Sequence, residues 1–467
     1  MSNLQRVSLQ ETVGGKTLIF QTGTLAKQAG GSVTIHLEDT AILTAATAAR
    51  EPKPGVTFMP LTVDYRERTY AAGKIPGGFF KREGRPREKE ILSARLTDRP
   101  IRPLFPEGWN CDTMVQVIVL SADSKNDSDI LGINGASASL MLSDVPWGGP
   151  VAALRVGRIN GQTIFFPTFE DRETCELELV IAGKKGAILM VEGGANEVSE
   201  DVMAEVLEAA QLEINKLCDL QLRLVEEAQK AGKVIKKRTV APPSVPEPVR
   251  QLVTDRALPE IKKRLREALP KWELDAAMHA LKESIRKEIG EKSMPEAAAK
   301  AKALLEAAKF APTFLGGEAF VTGIVEDLLY KESREMVLSE KVRQDGRGTK
   351  DIRPISIQVP ALPRTHGSAL FTRGSTQALV TTTLGTPGDM QIMDELEGEF
   401  KERFLLHYNF PGFSVGEFKP ERGPGRREIG HGALAKRALY PLLPKEEEFA
   451  YTIRIVSDIL ESNGSSS

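Results

Sequence analysis

Residues 77–87 read Gly-Gly-Phe-Phe-Lys-Arg-Glu-Gly-Arg-Pro-Arg, two aromatic rings set among cations in a Gly/Pro-rich stretch. Bases stack on exposed rings whatever their identity, and Arg and Lys hold phosphates, so Phe79, Phe80, Lys81 and Arg82 could grip a single strand of nucleic acid. A core-tucked aromatic pair beneath a solvated charge face would show the same composition. From Lys81 to Arg102 eight cations stand against four carboxylates. Arg95 and Arg99 are four residues apart and share a face if their helix reaches Pro100, with Arg102 in the exit turn. Paired guanidiniums form rigid forks that suit phosphate, though structural ion pairs use the same spacing.

A second cationic cluster follows at Arg426-Arg427-Glu428-Ile429-Gly430-His431-Gly432. Arg427 and His431 would lie on one side of a helix, and the glycines permit close approach of a ligand or a neighbouring chain. An ordinary surface helix start is the plainer reading. The segment Glu461-Ser462-Asn463-Gly464-Ser465-Ser466-Ser467 follows a predicted strand. It could turn N–H groups and hydroxyls onto an anion, or be a loose tail. Asp394 to Glu399 reads as a solvated carboxylate face. There is no GxxxxGK[ST], HExxH or GxSxG, and the five histidines show no metal-ligand spacing.

The elements that must position these groups come in two matching sets. Gly31-Ser32 opens a strand-like run ending at Thr47, and Gly367-Ser368 opens another ending at Thr383 at the same spacing. Leu96 to Pro106 lies over Leu434 to Pro444, and Glu90-Ile91 over Glu428-Ile429. Continued without a gap, the strand Val115 to Leu120 falls on Ile453 to Asp458 and Ser124 on Ser462. Ordered matches over about 100 residues favour a duplication.

The first copy goes on with strands at Val151 to Val156, Glu176 to Ile181 and Ala187 to Val191, then an amphipathic helix from Glu200 to Leu217. The second copy reaches Ser467, opposite Asp129, and the expectation is a fragment or truncated gene product. Between the copies, Val240 to Pro248 is a stiff proline-rich linker. Helices follow, with Leu258, Ile261, Leu265 and Leu269 on one and Leu274, Met278, Leu281, Ile285 and Ile289 on the next, divided at Pro270. A third is expected from Ala297 to Phe310. The fold class is α/β (α+β). Residues 1–239 form the first unit, 240–325 the linker and an all-helical domain, and 326–467 the N-terminal half of the second unit.

With 41% hydrophobic and 27% charged residues, the composition is that of a soluble globular protein. A net charge of −2 gives no whole-molecule attraction for nucleic acid, so an RNA site must be a local basic patch. Cys111, Cys175 and Cys218 are scattered and odd in number, which fits a reducing cytosol. Met1 to Glu11 lacks the pattern of a secretory signal, and no apolar run approaches a membrane span. A cytoplasmic location is expected, with no membrane partner.

Taken together, Lys74 to Pro86, Asp98 to Pro106, Arg343-Gln344-Asp345-Gly346-Arg347, Arg427 to Gly432 and Glu461 to Ser467 resemble the polynucleotide phosphorylase family, over essentially the whole chain. The resemblance implies tandem RNase PH-like domains around an all-helical domain, the second incomplete. It implies a ring-shaped homotrimer and a place in an RNA-degradation complex. The implied reaction is reversible phosphorolysis of single-stranded RNA 3′ ends, with inorganic phosphate as co-substrate and nucleoside diphosphates released. Phe79, Phe80, Lys81 and Arg82 would then line a constriction, Lys81 standing where many relatives have Arg. Arg95, Arg99, Arg102, Arg426, Arg427 and His431 would hold RNA phosphates, and Ser465, Ser466 and Ser467 would cradle the attacking phosphate. Mg²⁺ is expected for the full-length enzyme, its carboxylate ligands absent from this chain, which alone would be inactive or barely active. The rival expectation is a non-catalytic RNA-binding ring subunit.

Overall fold

The computed structural model describes residues 5–53, 58–240, 247–289, 318–420, 422–464 and 466. The first copy begins with β1 (Val7–Val13), β2 (Lys16–Thr22), β3 (Gly31–Leu37), β4 (Thr40–Ala48), β5 (Leu61–Glu67), α1 (Glu88–Ile101) and β6 (Thr113–Ser121). The sheet order is β1-β2-β3-β4-β6-β5, antiparallel except for β5 beside β6. That parallel pair needs a crossover, and α1 supplies it. The helix α2 (Asp129–Leu142) is buried almost all round and packs on β3, β4 and α1.

A second sheet of order β10-β9-β7-β8 holds β7 (Ala152–Ile159), β8 (Gln162–Phe165), β9 (Leu177–Lys184) and β10 (Ala187–Ala195). The short α3 (Phe169–Glu173) and the long α4 (Glu200–Lys230) complete this half. α4 runs thirteen residues past the Leu217 limit read from the sequence. Leu220, Leu224 and Ala228 continue its buried stripe at helical spacing, which carries it on.

The helical unit contains α5 (Glu247–Arg266), α6 (Lys271–Ile289) and α7 (Glu318–Ser339). Val253, Ile261, Met278, Ile285, Val325 and Met336 share one apolar cluster. α7 passes through position 325, where the sequence reading ended this unit. The helix expected at Ala297 to Phe310 lies outside the described residues.

The second copy repeats the opening of the first. Its elements are β11 (Ile355–Gln358), β12 (Gly367–Arg373), β13 (Thr376–Gly385), the hairpin β14 (Gln391–Asp394) and β15 (Glu399–Glu402), β16 (Phe404–Asn409), α8 (Arg426–Leu439) and β17 (Thr452–Glu461). The sheet order β11-β12-β13-β17-β16, with β16 parallel to β17, matches the first. Both copies carry a bulge at one place: Ala41 pairs with Ser121 and Ile42 with Val119, while Gln377 pairs with Glu461 and Ala378 with Ile459. Val119 therefore corresponds to Ile459, not to Ser457 as the ungapped comparison had it. The second copy carries two extra residues between α8 and β17, and Ser124 corresponds to Gly464. A surface connection absorbs such an insertion at little cost in loop entropy.

Candidate functional site

The duplication fixes the geometry at the N-termini of α1 and α8. The Glu90 carboxylate accepts from the Arg87 N–H at 2.7 Å and from the Glu67 N–H at 2.9 Å. Glu428 does the same with the Gly425 N–H at 2.6 Å and the Phe410 N–H at 2.9 Å. An anion at a helix start satisfies orphan donors and the helix dipole together, so each glutamate pins its helix to the end of a strand. Lys89 and Arg427 thus occupy equivalent positions, as do Glu67 and Phe410.

In the second copy this corner forms a cationic pocket. Phe404 and Tyr408 are four apart on β16 and turn to the same buried side. The Tyr408 hydroxyl hydrogen-bonds the Ser466 hydroxyl at 2.9 Å. Its ring meets His431 edge-on at 5.1 Å between centroids and stacks near Phe410 at 6.4 Å. The Arg427 guanidinium lies 5.6 Å over the Phe410 ring, a cation–π contact. Gly430 faces the first copy, where a Cβ would stand 2.3 Å from Arg95 Nε. A side chain of α1 therefore reaches α8, close enough to act on Arg427 and His431.

The titration behaviour follows from that crowding. Burial, then Arg427 and Arg95, hold His431 below the usual histidine range. Burial and the neighbouring Arg99 push Arg95 down as well. His431 Nδ1 is buried without a hydrogen-bond partner among the described residues. Two guanidiniums close enough to depress His431, with the Tyr408–Ser466 hydroxyl pair beside its ring, suit an oxyanion, which would relieve their mutual repulsion.

The first copy closes its equivalent corner with its own charges. Lys89 Nζ lies 3.2 Å from Glu67 and 3.0 Å from Glu397, so its ammonium is already neutralised. Burial pushes the Glu67 carboxyl up to about 7 against the opposing pull of Lys89. The Tyr65 hydroxyl meets Ser128 at 2.7 Å, but inside the core. Tyr65 and Tyr408 thus keep one role, while the substitution of Phe410 for Glu67 leaves Arg427 available.

The other residues singled out by sequence divide. Phe79 and Phe80 are 92% and 87% exposed, edge-to-face at 5.5 Å, so they do not tuck into the core. Lys81 and Arg82 are exposed beside them, Lys81 at φ +49°. Arg95 and Arg99 do lie on one helix that includes Pro100. Arg99, however, pairs with Glu192, which also holds Arg437 at 3.1 Å. Arg102 binds Asp98 at 2.7 Å, and Arg426 binds Asp64 at 2.6 Å and the Val63 carbonyl. These three are engaged by protein groups. Ser465 and Ser467 lie outside the described residues.

Within Asp394 to Glu399, Asp394 and Glu399 are exposed as a solvated charge face requires, but Glu395 and Glu397 are not. Glu395 is 4% exposed and 2.9 Å from Arg87, and Glu397 pairs with Lys89. The β14–β15 hairpin docks these acids on first-copy cations, a long-range pairing that composition alone does not reveal. Tyr408 was missed because a lone tyrosine in an apolar strand carries no motif. Its match to Tyr65 was the available signal.

The groups around Tyr408 and Ser466 do not fit a divalent cation, because Arg95 and Arg427 are cationic and the Glu428 carboxylate is taken up by the Gly425 and Phe410 N–H groups. Among the described residues no group of three His, Cys, Asp or Glu side chains could hold a metal. Also among them, no helix is long and apolar enough to cross a membrane.

The profile described as 3′ exoribonuclease family, domain 1, matches residues 14–146 and again 351–467, and that for domain 2 matches 149–212. This chain belongs to the 3′ exoribonuclease family, with two RNase PH-like regions around a helical insertion. It is similar to proteins named polyribonucleotide nucleotidyltransferase. That of Elusimicrobium minutum is 48% identical over 100% of this chain and 64% of its own length. Those of Koribacter versatilis and Thermus thermophilus are 49% and 48% identical over 99% and 98% of this chain, and 54% and 61% of theirs. The chain thus spans about 54 to 64% of the length of these relatives.

Proposed function

We propose that this chain forms part of a phosphorolytic 3′-to-5′ exoribonuclease, a polyribonucleotide nucleotidyltransferase that shortens single-stranded RNA and releases nucleoside diphosphates. The observation that supports it most is the meeting of Arg95, Arg427, His431 and Ser466 where the two copies touch. Inorganic phosphate and an RNA phosphodiester are both anions, so bringing them in line demands concentrated positive charge and fixed donors. In this reading Ser466, flanked by Ser465 and Ser467, holds the attacking phosphate in place. Arg427 and Arg95 neutralise charge on the pair of anions, and His431 donates an N–H to a phosphate oxygen, more strongly when protonated.

Phe79 and Phe80 stack on bases of the incoming strand while Lys81 and Arg82 attract its phosphates. Arg99, Arg102 and Arg426 join only if RNA displaces their present carboxylate partners. Residues 1–239 and 326–467 are then the two phosphorolytic units and 240–325 the linker and helical unit, with α7 bridging the last boundary. A cytoplasmic homotrimeric ring, working within an RNA-degradation complex, and Mg²⁺ in the complete catalytic centre belong to the same proposal.

The test incubates the full-length protein to which this chain contributes with single-stranded RNA, with and without phosphate, and identifies the products. Phosphate-dependent release of nucleoside diphosphates supports phosphorolysis. Nucleoside monophosphates released without phosphate would contradict it, and RNA binding without turnover would favour a non-catalytic ring subunit.

A further inference from the structure

A cleft of ≈ 570 Å³ opens where the helical unit meets the second copy, within the range of about 300–1,000 Å³ usual for small-molecule sites. The first turn of α6 and the last turns of α7 form one side, and the 343–353 segment forms the other. Lys271, Arg334, Arg343, Arg347 and Arg353 line it against one carboxylate, that of Asp345. In a chain of net charge −2 this is a local concentration of positive charge, not a reflection of composition.

The two sides differ in how their cations are held. Asp345 lies 2.9 Å from Arg347 and 3.5 Å from Arg353, and Arg343 donates to the Thr349 carbonyl at 2.6 Å. These contacts fix three guanidiniums as a preformed wall, and one carboxylate cannot neutralise them. Lys271 and Arg334 opposite are exposed and make no ion pair with any described residue. The exposed side chains of Tyr330 and Leu338 add apolar surface to the lining. The complementary ligand is anionic at one end and flat and apolar at the other.

We propose that this cleft binds a nucleoside polyphosphate, its phosphates between Arg334, Lys271 and the Arg347–Arg353 wall and its base against Tyr330 and Leu338. The site is distinct from the Arg427 corner. Asn463 lines the cleft and stands three residues before Ser466, so an occupant touches the segment that carries the cradle hydroxyl.

The test titrates the full chain with a fluorescent ADP analogue. Saturable binding is expected to persist in Arg427→Ala, whose phosphorolytic corner is disabled, and to weaken at least tenfold when Lys271→Ala and Arg334→Ala are made, with unchanged thermal unfolding. No saturable binding, or equal affinity in the double variant, overturns the proposal. Loss in Arg427→Ala with retention in the double variant also overturns it, while leaving the phosphorolytic reading intact. Displacement of the analogue by inorganic phosphate as effectively as by ADP rejects the nucleotide class.

Discussion

Gly430 of the second copy gives way to Arg95 of the first: a Cβ on Gly430 would lie 2.3 Å from Arg95 Nε. A glycine inside a helix costs about 1 kcal/mol relative to alanine, and here the missing side chain admits a guanidinium from the other copy. Gly430→Ala should therefore improve local helix propensity yet expel Arg95. We expect RNA affinity to fall about tenfold, since a charge-assisted hydrogen bond contributes roughly 1.5–3 kcal/mol. Filter binding at fixed salt reads the loss, and unchanged affinity would remove Arg95 from the site.

Tyr408→Phe keeps the ring against His431 and deletes only the hydroxyl bonded to Ser466. A neutral hydrogen bond contributes about 1 kcal/mol, so phosphate binding should weaken roughly fivefold while RNA binding through Phe79 and Phe80 persists. Isothermal titration with each ligand separates the two. Equal losses for both ligands would indicate damage to the fold.

The pH dependence of RNA binding has a definite sign. His431 sits below the usual histidine range because of burial, Arg427 and Arg95. A bound phosphodiester favours the imidazolium, so binding takes up a proton and affinity rises as pH falls below 7. The RNA backbone does not titrate in that range. Affinity measured from pH 7.5 to 5.5 should climb for the native protein and stay nearly flat for His431→Asn. A parallel climb in the variant would assign the effect elsewhere.

Phe79 and Phe80 are solvent-exposed, so replacing both with alanine should leave thermal unfolding essentially unchanged. Stacking contributes about 1–3 kcal/mol per base, and single-stranded RNA affinity should drop at least tenfold. A fall in melting temperature with intact RNA affinity would mean that the rings serve structure instead.

Much of the fold was legible because duplication repeats its own signals. The strand at Gly31, its twin at Gly367 and the Glu90/Glu428 pair stand in the same order. The register of β17 was not legible, since two residues added in a surface connection leave the apolar alternation intact. The candidate site was half visible: Arg427 and His431 share a helix face, as their spacing requires. Tyr408 and the capture of Arg99, Arg102 and Arg426 by carboxylates depend on contacts between distant segments. Neither local pattern nor charge count encodes those contacts. The same holds for Glu395, whose acidic surroundings suggested solvent while the hairpin buries it on Arg87.

The central claim is that the Arg427 corner holds inorganic phosphate. ³¹P NMR of phosphate titrated with the protein reads this directly. Saturable broadening is predicted for the native chain, at least tenfold weaker in Arg427→Ala and undiminished in Lys89→Ala, where the first copy's corner is already filled by its own carboxylates. Equal broadening with native and Arg427→Ala protein would contradict the account.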